Sequence, residues 1–139
     1  MPFLLSDAVD ADFDRLIEIQ FAAFGQTGDS PREPFMDWMY PNADTPSGQA
    51  AARDRTLKSL RSDHTARFLK VTDTDTGEII GGAKWNVYGK KPEQKRVEVN
   101  SFEGEEREYA ELVLGEFHRR RHEHVTAGGP YLCEPLVLS

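Results

Sequence analysis

Hydrophobic positions along this chain follow two rhythms, one of about 2 residues and one of about 3.6, and the points where they change over predict its elements. The clearest alternation runs from Ala66 to Tyr88 and predicts a hairpin. Phe68, Leu69 and Val71 carry the first strand, and Ile79, Ile80, Ala83, Trp85 and Val87 the second, with β-branched and aromatic side chains that suit a pleated surface. Asp73, Thr74, Asp75, Thr76 and Gly77 predict the turn between them. Short oxygen-bearing side chains satisfy nearby backbone there, and Gly77 can take a positive φ without a Cβ clash. Gly81 and Gly82 interrupt the second strand, which predicts a bulge or the close approach of another backbone or a ligand.

Upstream, Phe3, Leu4 and Leu5 predict a short strand, with Asp7 and Asp10 behind it as helix-starting residues. From Asp12 onward the helical rhythm takes over. Phe13, Leu16, Ile17, Gln20, Phe21 and Phe24 share one face until Gly25 ends the helix. Gln26 to Glu33 reads as a loop, Pro34 opens a short helix carrying Phe35, Met36 and Met39, and Pro41 stops it. Ser47 is the expected cap of a third helix reaching about Leu60, with Ala51, Leu57 and Leu60 inward and Arg53, Arg55 and Lys58 in water. After the hairpin come a basic loop, Gly89 to Lys95, and a weaker strand pattern over Val97 to Phe102. Glu105 to Val125 then predicts a helix whose Tyr109, Leu112, Val113 and Phe117 form one face, expected to lie on the hairpin sheet. Acids at its start and Arg119, Arg120 and Arg121 towards its end complement the helix dipole. Gly128 and Gly129 close it, and Tyr131 to Leu138 reads as a final strand. The order β-α-α-α-β-β-(β)-α-β predicts an α/β or α+β layered fold, a mixed and mostly antiparallel sheet packed by helices.

At 139 residues this is expected to be one domain, 1–139, with one core. Seventeen basic against twenty-four acidic residues leave a net charge of -7, which disfavours nucleic acid and anionic membrane surfaces. The start MPFLLSDAVDAD lacks the features of a signal peptide, and no stretch approaches the ~18 apolar residues of a membrane span. Cys133 is the one cysteine, so no internal disulfide forms and a reducing, cytoplasmic location is expected.

Candidate chemistry is sparse. His118 and His122 stand four apart with His124 nearby, but three arginines lie between the first two and repel a cation, so no metal site is expected. Asp73, Asp75, Gly77 and Glu78 lack calcium-loop spacing and read as a hairpin turn. Glu134 alternates with Leu132 and Leu136 within the last strand. On a buried face desolvation would raise its pKa and suit it to take a proton from an amine; at an exposed edge it is simply solvated.

In this order of elements, the stretches FLKVTDTDTGEIIGGAKWNVY, EGEEREYAELVLGEFHRRR and GPYLCEPLVLS resemble fungal-type members of the GNAT superfamily of N-acetyltransferases. The resemblance spans nearly the whole chain and the N-terminal portion of that fold, ending at strand 4, Leu132 to Leu138. It implies acetyl-CoA as cofactor and an amine as acceptor, with acceptor choice in loops such as Gln26 to Glu33 and Gly89 to Lys95. Glu134 matches a position that sometimes supplies the base, and the backbone of Leu136, Val137 and Leu138 would run beside the pantetheine arm. In the family a Q/R-x-x-G-x-G/A turn follows and holds the pyrophosphate; here Ser139 stands where it would begin. The resemblance therefore implies a domain truncated after strand 4, weakly active or inactive alone. The alternatives are a non-catalytic protein-interaction module and an enzyme half completed by another chain. An apolar final strand also implies a homodimer or partner strand at the C-terminal edge.

Overall fold

The computed structural model describes residues 2–25, 34–94, 97–100, 102–127 and 131–138; for 34, 35, 38 and 131–138 the description is of the backbone. The described residues form nine elements: β1 (Phe3–Asp7), a 3-10 turn (Asp10–Asp12), α1 (Phe13–Phe24), α2 (Pro34–Met39), α3 (Pro46–Ser62), β2 (Ala66–Asp73), β3 (Ile79–Tyr88), α4 (Gly104–Thr126) and β4 (Tyr131–Leu138). Helices and an antiparallel sheet therefore make up the mixed fold that the two hydrophobic rhythms predict. The four strands lie in chain order, β1-β2-β3-β4, with both the β1–β2 and β2–β3 pairs antiparallel. Two compact units are present, Met1–Asn86 with Glu134–Ser139, and Val87–Cys133.

In the first unit α1 supplies the core. Phe13, Leu16, Ile17, Ile19 and Gln20 are buried along it, joined by Met36, Ala43 and Ala52. Phe13 meets Phe68 of β2 edge-on at 5.1 Å between ring centroids. Beneath this helix Gly82 has a definite job: a Cβ there would lie 2.7 Å from Leu16 Cδ2 and 3.0 Å from Phe68 Cε1. The close approach that the glycine pair implies is thus made by a core side chain of α1, which seats in the space of the missing Cβ. The bulge is present as well. Val71 pairs with Gly81 and Thr72 with Ile79, leaving Ile80 as the extra residue. Gly77 takes φ 75 in the hairpin turn, where Asp73 Oδ1 accepts from the N–H groups of Asp75 and Thr76 at 2.8 and 3.3 Å.

The cap of α3 lies elsewhere than expected. Thr45, not Ser47, is the N-cap: its backbone is extended, and its Oγ1 accepts from Gly48 N–H at 3.1 Å. Pro46 then occupies the first helical position, where the missing N–H has no intrahelical partner to lose and φ is already set. That shift of start changes the inward set. Ala51 is exposed and Leu57 and Leu60 are half-buried, while Gly48 and Ala52 are the buried residues of the helix. Arg53 is not wholly in water either, since its guanidinium reaches Asp14 of α1 at 2.7 Å.

In the second unit α4 extends one residue beyond its predicted range at each end, but its expected core stripe does not become core. Tyr109, Leu112 and Phe117 are 56, 71 and 60% exposed, whereas Ala110 is buried. Arg119, Arg120 and Arg121 lie short of the last turn, whose basic residue is His124. Instead of meeting the dipole, Arg119 binds Glu116 at 2.6 Å and also Glu123, and Arg120 binds Glu116 at 3.0 Å. These hydrogen bonds pull Glu116 down to about 2. No strand forms at Val97 to Asn100 or at Phe102, and Ser101 lies outside the described residues. Val99 is buried, and its N–H goes to Glu111 Oε1 of α4 at 3.1 Å, so a carboxylate takes the donor that a ladder would use. Gly128 and Gly129 lie outside the described residues.

Candidate functional site

Glu134, Leu136, Val137 and Leu138 all fall in β4, which neighbours β3 in the sheet. Their side chains lie outside the described residues, as does that of Cys133. The loop Gln26 to Glu33 is outside them too, while residues 89–94 of the Gly89 to Lys95 loop are irregular. Among the described residues no three His, Cys, Asp or Glu side chains converge as a metal site. His118 sits against Phe117 with 5.7 Å between ring centroids. Burial, then the charge of Arg121, pushes its pKa down.

Within the first unit, the chain assembles four polar groupings that local spacing does not reveal. Asp12 and Lys70 meet at 2.7 Å with 13 and 19% of their side chains exposed, and Val9 N–H donates to the same Asp12 Oδ2 at 2.7 Å. Burial alone would raise the Asp12 pKa, but the two hydrogen bonds and the Lys70 charge outweigh it and hold the carboxyl below its ordinary value. Asp63, capping the end of α3, accepts from Thr65 N–H at 3.0 Å, Thr65 Oγ1 at 2.6 Å and buried Asn86 Nδ2 at 3.0 Å. Its pKa is likewise lowered, burial opposing and those three donors and Lys84 prevailing. Gln20, buried on α1, donates to Tyr40 Oη at 2.8 Å, and Arg55 lies over the Tyr40 ring at 5.4 Å. Burial pushes that phenol up against the weaker opposing pull of Gln20 and Arg55.

The fourth grouping surrounds an open cleft of about 270 Å³, lined by the end of β1, the 3-10 turn, the first residue of α1, the end of α3 and the start of β2. Phe13, Leu57, Leu60 and Phe68 give it an apolar floor, and two ion pairs line it: Arg67 on both oxygens of Asp7 at 2.8 and 2.9 Å, and Arg61 on Asp10. Both pairs are more than half exposed. Asp7 and Asp10, expected to start a helix, thus serve as partners for arginines about 50 to 60 residues away.

No family model matches the chain, and no curated protein matches it in sequence. No described helix is long and apolar enough to cross a membrane.

Proposed function

We propose that the chain is a GNAT-like N-acetyltransferase domain, directed at acetyl transfer from acetyl-CoA to an amine and weakly active or inactive by itself. The observation that carries this reading is the position of β4. Elements in the order β-α-α-α-β-β-α-β lead to a sheet laid in chain order whose last strand is the one that the resemblance assigns to the pantetheine arm. In that reading, Glu134 would take the proton of the acceptor ammonium and so free the amine to accept the acetyl group that acetyl-CoA would supply as a thioester, the second proton of the amine passing to the departing thiol through solvent. The sequence contains no Q/R-x-x-G-x-G/A turn to gather the phosphates, and a net charge of -7 opposes them.

Amide chemical shifts recorded with pantetheine and with acetyl-CoA at millimolar concentration test the reading. Both ligands are expected to shift the amides of Glu134, Leu136, Val137 and Leu138 by similar amounts, with calorimetric affinity for acetyl-CoA weaker than micromolar. Shifts in β4 from neither ligand overturn the acetyl-transfer reading, and micromolar or tighter acetyl-CoA binding overturns the expected weakness. A non-catalytic interaction module is the second reading, favoured by the exposed apolar side chains Phe3, Leu4, Leu5, Leu112 and Phe117.

A further inference from the structure

Among the described strands β1 has a neighbour on one side only, β2. The bonds on that side settle which groups of β1 point the other way. Ala8 N–H donates to Phe68 O at 2.8 Å and Thr74 N–H to Pro2 O at 2.7 Å, in a register running from Phe3↔Asp73 to Asp7↔Leu69. Residues 2, 4, 6 and 8 therefore form the hydrogen-bonded pairs with β2. Because antiparallel ladders alternate, the N–H and C=O groups of Phe3, Leu5 and Asp7 point away from the sheet. Several usual protections of a free edge are missing. The β1–β2 register is unbroken by a bulge, and FLLSD contains no lysine and no proline. Its apolar side chains face water: Phe3, Leu4 and Leu5 are 51, 55 and 64% exposed.

We propose that this edge pairs with the same edge of a second copy, antiparallel about a twofold axis at Leu5, so that one sheet continues through two chains. The outward residues 3, 5 and 7 are symmetric about position 5. Phe3 of each copy falls opposite Asp7 of the other, Leu5 falls opposite Leu5, and all the outward N–H and C=O groups of the three residues find partners at once. Charge also permits this occupant. Asp7 is the only charged residue of the strand, and Arg67 already binds it at 2.8 Å. The two Asp7 carboxylates would stand about 14 Å apart, four residues at the ordinary strand rise and beyond the screening length of about 8 Å in physiological salt. No like charges then lie directly across the junction, since Phe3 faces Asp7 and Leu5 faces Leu5. This inference is independent of the acetyl-transfer reading.

Light scattering over a concentration series, on the full chain and on Leu5→Lys and Leu5→Glu variants, tests it, with circular dichroism to confirm folding at this exposed position. The native chain is expected to approach twice its 15.7 kDa mass as concentration rises. Each variant alone should stay at the single-chain mass, because like charges then meet on the twofold, and an equal mixture of the two should recover the doubled mass. In the native chain the amides of Phe3, Leu5 and Asp7 should gain protection from hydrogen exchange with concentration, whereas those of Leu4, Ser6 and Ala8 are protected throughout. A native chain that stays monomeric overturns the proposal. So does association that both variants leave intact, or a mixture that fails to restore it.

Discussion

Lys70 and Asp12 are shielded enough from water for their contact to matter energetically, with 19 and 13% of their side chains exposed. Replacing Lys70 by Met leaves Asp12 with Val9 N–H as its remaining donor and is expected to cost about 1 to 3 kcal/mol at neutral pH. The pH dependence follows from the direction of the shift. Because the folded pKa of Asp12 lies below the ordinary value of 3.8, its contribution is fully present above that value and is lost as pH falls through the folded pKa. Urea unfolding of both proteins should therefore show a gap at neutral pH that narrows as pH falls below the ordinary carboxyl value of 3.8; a constant gap would assign the loss to packing. In the sequence Asp12 reads only as a helix start, since nothing local links it to a residue 58 positions on. Gly77 was legible because its turn is local, whereas the need for Gly82 was legible but the Leu16 side chain that creates it was not.

Among the elements, helices and strands followed their periodicity except at Val97 to Phe102, and ends and faces were where other forces intervened. Pro46 moves the α3 cap back to Thr45, and Glu111 takes the Val99 N–H that would have joined a strand. The α4 stripe is the instructive case. Tyr109, Leu112, Val113 and Phe117 recur at helical spacing and so identify a helix, but periodicity says nothing about whether the apolar face has something to cover it. With Phe117 60% exposed, Phe117→Ala is expected to cost less than about 1 kcal/mol in denaturant unfolding, against about 3 to 5 for a core phenylalanine. A cost in the core range would mean that this face is covered in solution. The candidate β4 site was legible as a strand from its apolar run, and the cleft at Asp7, Asp10, Arg61 and Arg67 was not, because those four residues come from four separate elements.

At the scale of the molecule, the sheet order repeats the chain order, but its junctions are very unequal in length. About 5 residues join β2 to β3, while about 58 separate β1 from β2; closing the longer connection costs about 2 kcal/mol more in chain entropy. That difference sets a sequence of events in time. The hairpin can close within microseconds and offer a template, and β1 must then return from far along the chain with α1 behind it. Gly77→Ala, strained at φ 75 with nothing near the added Cβ, should therefore appear chiefly as slower refolding in stopped-flow chevrons. Leu16→Ala, expected to cost about 2 to 5 kcal/mol in the α1 core, should appear chiefly as faster unfolding. If the two effects exchange limbs, α1 leads and the hairpin follows. Otherwise a nascent chain emerging N-terminus first would hold β1 and α1 unpaired until the residues of the hairpin had been made, leaving an apolar strand waiting for its partner β2 and for the β3 that completes the template.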